Sequence, residues 1–165
     1  MKNKQKSVIN RVKRVFEKIS IGSSIEEQIE GHLAVFSDIG YKSDPGIIAR
    51  VCVDVDNDSK YLRTQIAFKE PVPNEFAIQV DELIVRLNFF PGIGHLIRFP
   101  ETNRLSFAHA IILENFAFDE IEFEKLIRVL LGNGCEMYKA MRGLTENQIP
   151  LETIVQKFEK TVKHI

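Results

Sequence analysis

Hydrophobic residues near the start of the chain recur at helical spacing. Val8, Val12 and Val15 lie three or four positions apart, which is the period of one face of an α-helix. Gly22 follows them, and glycine is typical of the position after a helix ends. The pattern therefore predicts an amphipathic helix over residues 1–20.

A second helix is predicted directly after the first. Overlapping S-x-x-E boxes begin at Ser23 and Ser24, and in such a box the serine hydroxyl accepts an early backbone N–H of a helix. The hydrophobic residues that follow at helical spacing are Ile25, Ile29, Leu33 and Phe36. Gly40 suits the position after a helix C-cap, so we expect this helix to end there.

The period changes from helical to two in the next segment. Residues 47–55 are rich in β-branched side chains that alternate with polar ones, which indicates a half-buried strand. Turn residues at 57–59 precede a second run over 61–69, predicted as the return strand. Pro71 and Pro73 cannot continue a central ladder of hydrogen bonds, so the strand should stop there.

The second half of the chain repeats this order of elements. Helical spacing returns over residues 76–87, and two further strands are predicted over 95–99 and 105–113. A long helical stripe then runs from 123 to 141. Gly132 and Gly134 lie inside it, either as a break or as a point of close packing.

Thr145 is predicted to cap a last helix over residues 145–165. Because strands come in adjacent pairs, the sheet should be antiparallel and built from hairpins, with helices packed on it. The class is therefore α+β. No repeat or low-complexity linker divides the chain, so we expect one domain with its α+β core over residues 23–142.

Composition narrows the class of protein. The chain has 165 residues, of which 44% are hydrophobic, as in ordinary globular domains. No apolar run approaches the ~18 residues that a membrane span needs, and the first residues lack the apolar core of a secretory signal. Cys52 and Cys135 are far apart with no C-x-x-C motif, which favours reduced thiols and a cytoplasmic location.

Charge is unevenly distributed along the chain. The net charge is −1, but residues 1–18 hold seven lysines and arginines against one glutamate. The basic residues that we single out in this arm are Lys4, Lys6, Arg11, Lys13, Arg14 and Lys18. Such an arm suits nucleic acid or an anionic membrane surface, and it can also fold onto acidic surface, but a solvated helix face is the more common explanation of a run of charge.

Two short motifs resemble ligand-binding loops but lack essential parts. The run at 54–59 begins like a calcium loop, yet Ser59 and Gln65 stand where an EF-hand needs glycine and glutamate. A G-x-G at 92–94 follows a helix and precedes a strand, the reverse of a dinucleotide-binding fingerprint. Both are better explained as turns.

Side chains that could perform catalysis are scattered. His95 and His109 lie on neighbouring predicted strands, but no third metal ligand is placed near them. Cys52 is flanked by valines with no activating base in sequence, so we expect an inert thiol. The sequence therefore predicts no enzyme, no metal and no cofactor. A site assembled from Asp54, Asp56 and the two histidines is the remaining catalytic alternative.

The order and spacing of the elements resemble the YbjN and type III secretion chaperone-like superfamily over residues 40–141. The resemblance lies in a helix ending in Ile39-Gly40-Tyr41, strands, and a middle helix running into Arg86-Leu87-Asn88. A strand pair at 95–99 and 105–113 and a long helix from Glu120 follow. The family has three strands before its middle helix, whereas the pattern here predicts two, and the terminal helices are additions.

This resemblance implies a non-enzymatic, dimeric protein that binds another polypeptide, as a secretion chaperone or a YbjN-like regulatory adaptor does. Apolar patches on the sheet and its helices would hold an extended client segment, which can also add to a strand edge. The candidate contact residues are Phe68, Phe76, Phe90, Ile97, Phe99, Phe107 and Ile111. For any one of them, burial in the core is the simpler explanation. The alternative function is binding of nucleic acid or an anionic surface through the basic helix.

Overall fold

The computed structural model describes residues 2–21, 25–29, 32–41, 44–55, 60–90, 92–113 and 117–162. The helices are α1 (Lys2–Lys18), α2 (Ala77–Leu87), α3 (Glu120–Thr145) and α4 (Leu151–Val162). The strands are β1 (Ile25–Ile29), β2 (His32–Tyr41), β3 (Asp44–Val55), β4 (Tyr61–Pro71), β5 (His95–Phe99) and β6 (Arg104–Ile112). A short 3₁₀ turn, Asn74–Phe76, leads into α2.

The six strands form one antiparallel sheet in the order β1-β2-β3-β4-β6-β5. The sequence-based α+β class is therefore confirmed, as are the strand pairs β3–β4 and β5–β6 and the helices at both ends of the chain. The predicted turn residues at 57–59 lie outside the described part of the chain.

The helix predicted between Ser24 and Gly40 is wrong, because this stretch forms the hairpin of β1 and β2. Hydrophobic residues four positions apart satisfy a period of two as well as a period of 3.6. Val35 and Ser37 both point at the helices and are buried, and the Ser37 hydroxyl donates a 2.9 Å hydrogen bond to the Ile21 carbonyl. Pairing with β3 along most of β2 thus overrides the local helical pattern. The two serines of the predicted capping boxes lie outside the described residues, whereas their glutamates, Glu26 and Glu27, belong to β1.

The four helices cover one face of the sheet. From α1, five side chains are buried almost completely: Val8, Ile9, Val12, Val15 and Phe16. The Phe68 ring of β4 stacks on Tyr138 of α3, with centroids 4.1 Å apart. Asp81 of α2 accepts two hydrogen bonds from Arg98 of β5, at 2.7 and 2.5 Å. These contacts place α1, α2 and α3 on the same side, and α4 packs against α2 and α3.

The long helix α3 passes through both of its glycines without a break. A Cβ at Gly132 would meet no atom within 4 Å, whereas one at Gly134 would lie 3.3 Å from the Phe107 Cβ. Gly134 is therefore the point of close packing between α3 and β6. The cap predicted at Thr145 is wrong. This residue ends α3, its hydroxyl donates to the Met141 carbonyl, and α4 begins only at Leu151.

Candidate functional site

The face of the sheet opposite the helices is the candidate site, and we call it the open face. Its members are fixed by strand register, since successive side chains point to opposite sides of a strand. From β2 to β5 the open face comprises Ala34, Phe36, Asp38, Gly40, Ile48, Arg50, Cys52, Asp54, Tyr61, Arg63, Gln65, Ala67, Lys69, Pro71, Arg104, Ser106, Ala108, Ala110, Ile112, His95, Ile97 and Phe99.

Large apolar side chains are exposed at both ends of the open face. At one end Tyr61 and Ile112 pair directly across β4 and β6, and they are 46% and 74% exposed. At the other end Ile48 is 47% exposed and Phe99 38%. Apolar residues gathered on one surface and rimmed by polar groups are typical of an interaction site.

Charged pairs lie between these apolar ends. Arg50 of β3 donates to both carboxylate oxygens of Asp38 on β2, at 2.7 and 3.2 Å. Arg63 of β4 donates to one oxygen of Asp54 on β3 through two nitrogens, at 2.8 and 2.6 Å. The hydrogen bond from Arg50 holds the pKa of Asp38 below its usual range. Each carboxylate is thus already engaged by a neighbouring strand.

The floor of the open face is made of small or neutral residues. Gln65 donates a 3.0 Å hydrogen bond to the Ser106 hydroxyl across β4 and β6, and Ser106 is buried. Burial, with a smaller contribution from the nearby Asp54 carboxylate, raises the pKa of the Cys52 thiol to about 12. A thiol of such high pKa is poorly nucleophilic near neutral pH, which agrees with the inert thiol expected from sequence.

The outer edge of β5 is closed by a side chain of the helical layer. The Asn88 amide donates to the Leu96 carbonyl at 2.9 Å, and its oxygen accepts from the Leu96 N–H at 2.7 Å. The Leu96 N–H and C=O are therefore already hydrogen-bonded to Asn88, so a strand added at this position could not pair with them. At the opposite edge, β1 pairs only with β2 among the strands that the structure describes.

The seven apolar candidates from the sequence are not brought together. Phe68 and Phe107 are fully buried in the core. Phe76, Phe90 and Ile111 are partly buried against it. Ile97 and Phe99 alone lie on the open face, because odd-numbered positions of β5 point away from the helices.

The basic arm is folded onto the helical layer. Arg11, Arg14 and Lys18 converge on Glu120 at the start of α3, with N–O distances of 3.3, 2.5 and 3.9 Å. Arg11 also donates to the Phe118 carbonyl at 2.5 Å and lies over the Phe118 ring. Hydrogen bonds from these arginines lower the pKa of Glu120. Half of the six basic candidates are therefore engaged by this glutamate.

Two of the remaining three basic candidates have described side chains on α1. Lys6 is exposed and Lys13 half-buried on α1, while the side chain of Lys4 lies outside the described residues. The arm thus retains some outward positive charge, but much of it serves to attach α1 to α3.

The polar candidates for metal binding or catalysis are also dispersed. Asp54 is engaged by Arg63, and residues 56–59 of the calcium-like run lie outside the described part of the chain. His95 belongs to the open face and His109 to the helix-covered face, where burial and the nearby His95 lower the His109 pKa. Among the described residues, no group of three or more His, Cys, Asp and Glu side chains is placed to hold a metal ion.

A cavity of about 300 Å³ lies between α3 and α4, and no pattern in the sequence predicts it. Its lining includes the buried residues Ala140, Gly143 and Ile154 and two cationic residues, Lys139 and Lys157. Such a cavity needs two helices to pack at a particular angle, which hydrophobic spacing alone does not specify.

The chain was compared with models of known protein families and with curated proteins, and neither comparison finds a match. Over the described residues, no helix is both long enough and apolar enough to span a bilayer.

Proposed function

We propose that this protein is a non-enzymatic binding module that holds another polypeptide against its open face. The observation that carries the proposal is the placement of Ile112, Tyr61, Ile48 and Phe99 on the one sheet face that the helices leave uncovered. A face with this mixture of exposed apolar residues and cross-strand ion pairs has the composition of a protein-binding surface.

Binding is favoured over catalysis by the state of the reactive side chains. Asp54 is already hydrogen-bonded to Arg63, and the Cys52 thiol has a pKa of about 12. Neither group suits nucleophilic or general-base chemistry near neutral pH. A role as a chaperone or regulatory adaptor, which the family resemblance implies, fits a surface of this kind.

Two further expectations are part of this proposal. Both cysteines are free thiols, which favours a reducing compartment such as the cytoplasm. The homodimer expected from the family resemblance would have twice the 18.9 kDa of the chain. Light scattering after size-exclusion chromatography measures this mass directly, and a strictly monomeric protein would contradict that part of the proposal.

The alternative, binding of nucleic acid or an anionic surface through the basic helix, is less well supported. Arg11, Arg14 and Lys18 are engaged by Glu120, so fewer cations remain to displace counterions from phosphates. Replacing Lys6 and Lys13 by glutamine leaves the attachment to Glu120 intact. If this alternative held, the change would weaken salt-sensitive binding to duplex DNA.

Two matched substitutions test the proposed function. Ile112 on the open face and Ile78 on α2 are isoleucines of similar exposure, 74% and 84%. Each is replaced by glutamate, and the tagged full-length chain is recovered from the cell that encodes it. We expect a stoichiometric protein to co-purify with the unmodified chain and with Ile78→Glu, but not with Ile112→Glu. Equal recovery with all three would overturn the proposal.

A further inference from the structure

Positive charge is concentrated at one end of the open face. Arg104 of β6 pairs with Phe99 of β5 and with Pro71 of β4, and Lys69 lies in the bulge of β4 that precedes this proline. Lys69 is also close enough to Asp38 to help lower the pKa of that carboxyl. Two cations on neighbouring strands therefore lie at this end of the open face, with Arg104 directly beside the exposed apolar Phe99.

Among its described side chains from β2 to β5, the open face carries excess positive charge. Its two carboxylates, on Asp38 and Asp54, each accept hydrogen bonds from an arginine of the next strand. Lys69 and Arg104 add two further cations, so these described side chains have a formal charge of +2 while the whole chain has −1. Complementary charge selects partners and suppresses like-charged ones, which favours an acidic partner surface.

Geometry restricts the backbone of a partner on this face. The backbone groups within the sheet are taken up by the ladders between strands, and Asn88 closes part of the β5 edge. A segment lying across the face meets side chains and must satisfy its own backbone hydrogen bonds, as an α-helix does. From Tyr61 to Lys69 the face extends eight residues, or about 26 Å at ~3.3 Å per residue, the length of a helix of about 17 residues.

A second copy of this chain is a poorer occupant of the open face. Packing the two open faces together would bring these described side chains, with their charge of +2, against the same set, and juxtaposed like charges oppose association. A basic helix meets the same repulsion. On these grounds, and resting on the function proposed above, we propose that the partner presents an acidic amphipathic helix, with its apolar side on the open face and its carboxylates against Lys69 and Arg104.

The proposal is tested with a displayed library of 18-residue peptides, with the full-length chain as bait. The library keeps one apolar helical face constant and randomises the polar positions among glutamate, lysine and glutamine. We expect the recovered peptides to be enriched in glutamate. Recovery of lysine-rich or uncharged helices, or of no peptide at all, would overturn the proposal.

A matched pair of charge reversals then locates the contact. With a recovered glutamate-rich peptide as probe, Lys69→Glu/Arg104→Glu should weaken binding at least tenfold in fluorescence anisotropy. The control Lys157→Glu/Lys160→Glu makes the same charge change on α4 and should leave the affinity unchanged. Lys69→Gln/Arg104→Gln provides a milder variant if the reversal impairs folding. Equal affinity in the open-face variants and the unmodified chain would contradict the inference.

Failure of this inference is distinguishable from failure of the proposed function. If Ile112→Glu abolishes recovery of the natural partner but Lys69→Glu/Arg104→Glu does not, the open face binds a protein whose contact is not acidic. If recovery survives Ile112→Glu, the proposed function itself is wrong, whatever peptides the library yields.

Discussion

Two glycines in the middle of α3 should respond differently to the same substitution. Replacing glycine by alanine inside a helix usually stabilises it by about 0.8–1 kcal/mol, because glycine loses more backbone entropy on folding. At Gly132 the added Cβ meets no atom within 4 Å. We therefore expect Gly132→Ala to raise the free energy of unfolding by about 0.5–1 kcal/mol.

At Gly134 the same methyl group would press on the core. Its Cβ would lie 3.3 Å from the Phe107 Cβ, and Phe107 belongs to a strand inside the sheet. The far edge of the Phe107 ring packs against Gly94, where an added Cβ would lie only 2.5 Å from the ring's Cε1. The ring therefore has little room to shift. Overpacking of this kind costs about 1–3 kcal/mol, which offsets or exceeds the helical gain. Gly134→Ala should therefore destabilise by about 0–2 kcal/mol.

Urea unfolding followed by circular dichroism measures both variants on the same scale. Thermal unfolding offers a second readout, since 1 kcal/mol corresponds to about 2–4 °C for a protein of this size. The comparison between Gly132→Ala and Gly134→Ala removes the shared propensity effect. If Gly134→Ala stabilised the protein as much as Gly132→Ala, α3 would not be packed against Phe107 as described.

Three further predictions concern stability. Arg98→Ala should cost about 1–3 kcal/mol in urea unfolding, because the 11% exposed Arg98 side chain donates twice to Asp81; an unchanged midpoint would exclude a structural role for this pair. Phe16→Ala should cost about 3–5 kcal/mol, since Phe16 is fully buried; a smaller loss than 1 kcal/mol would mean that α1 is not part of the core. The pKa of His109 is lowered in the folded protein, so the imidazole takes up a proton at higher pH in the unfolded state. The free energy of unfolding should therefore fall as pH decreases below about 6.5. His109→Gln should flatten this pH dependence, and an unchanged dependence would contradict the burial of His109.

Much of the fold follows from hydrophobic spacing, but the stretch between Ser24 and Gly40 does not. Its hydrophobic residues are spaced by fours and threes, which a helix and in part a strand both satisfy. Pairing with β3 along most of β2 stabilises the strand over the helix. A long-range pairing of this kind leaves no mark in the local sequence.

The candidate site could be predicted only in part, for a similar reason. Ile97 and Phe107 are both apolar strand residues, yet one lies on the open face and the other in the core. Alternation of side chains along a strand assigns each residue to one of two faces, but it does not predict which face the helices will cover. In the same way, nothing in the local sequence links Arg11 with Glu120, which are more than 100 positions apart.

The central claim is that the open face, and not the helical layer, contacts another polypeptide. The most direct measurement places a photo-crosslinking amino acid at position 112 on β6 and, in a separate variant, at position 78 on α2, in the cell that encodes the protein. We expect illumination to join the variant at 112 to one discrete protein, identified by mass spectrometry, and to give no such adduct from 78. An adduct from 78 alone, or from neither position, would contradict the claim.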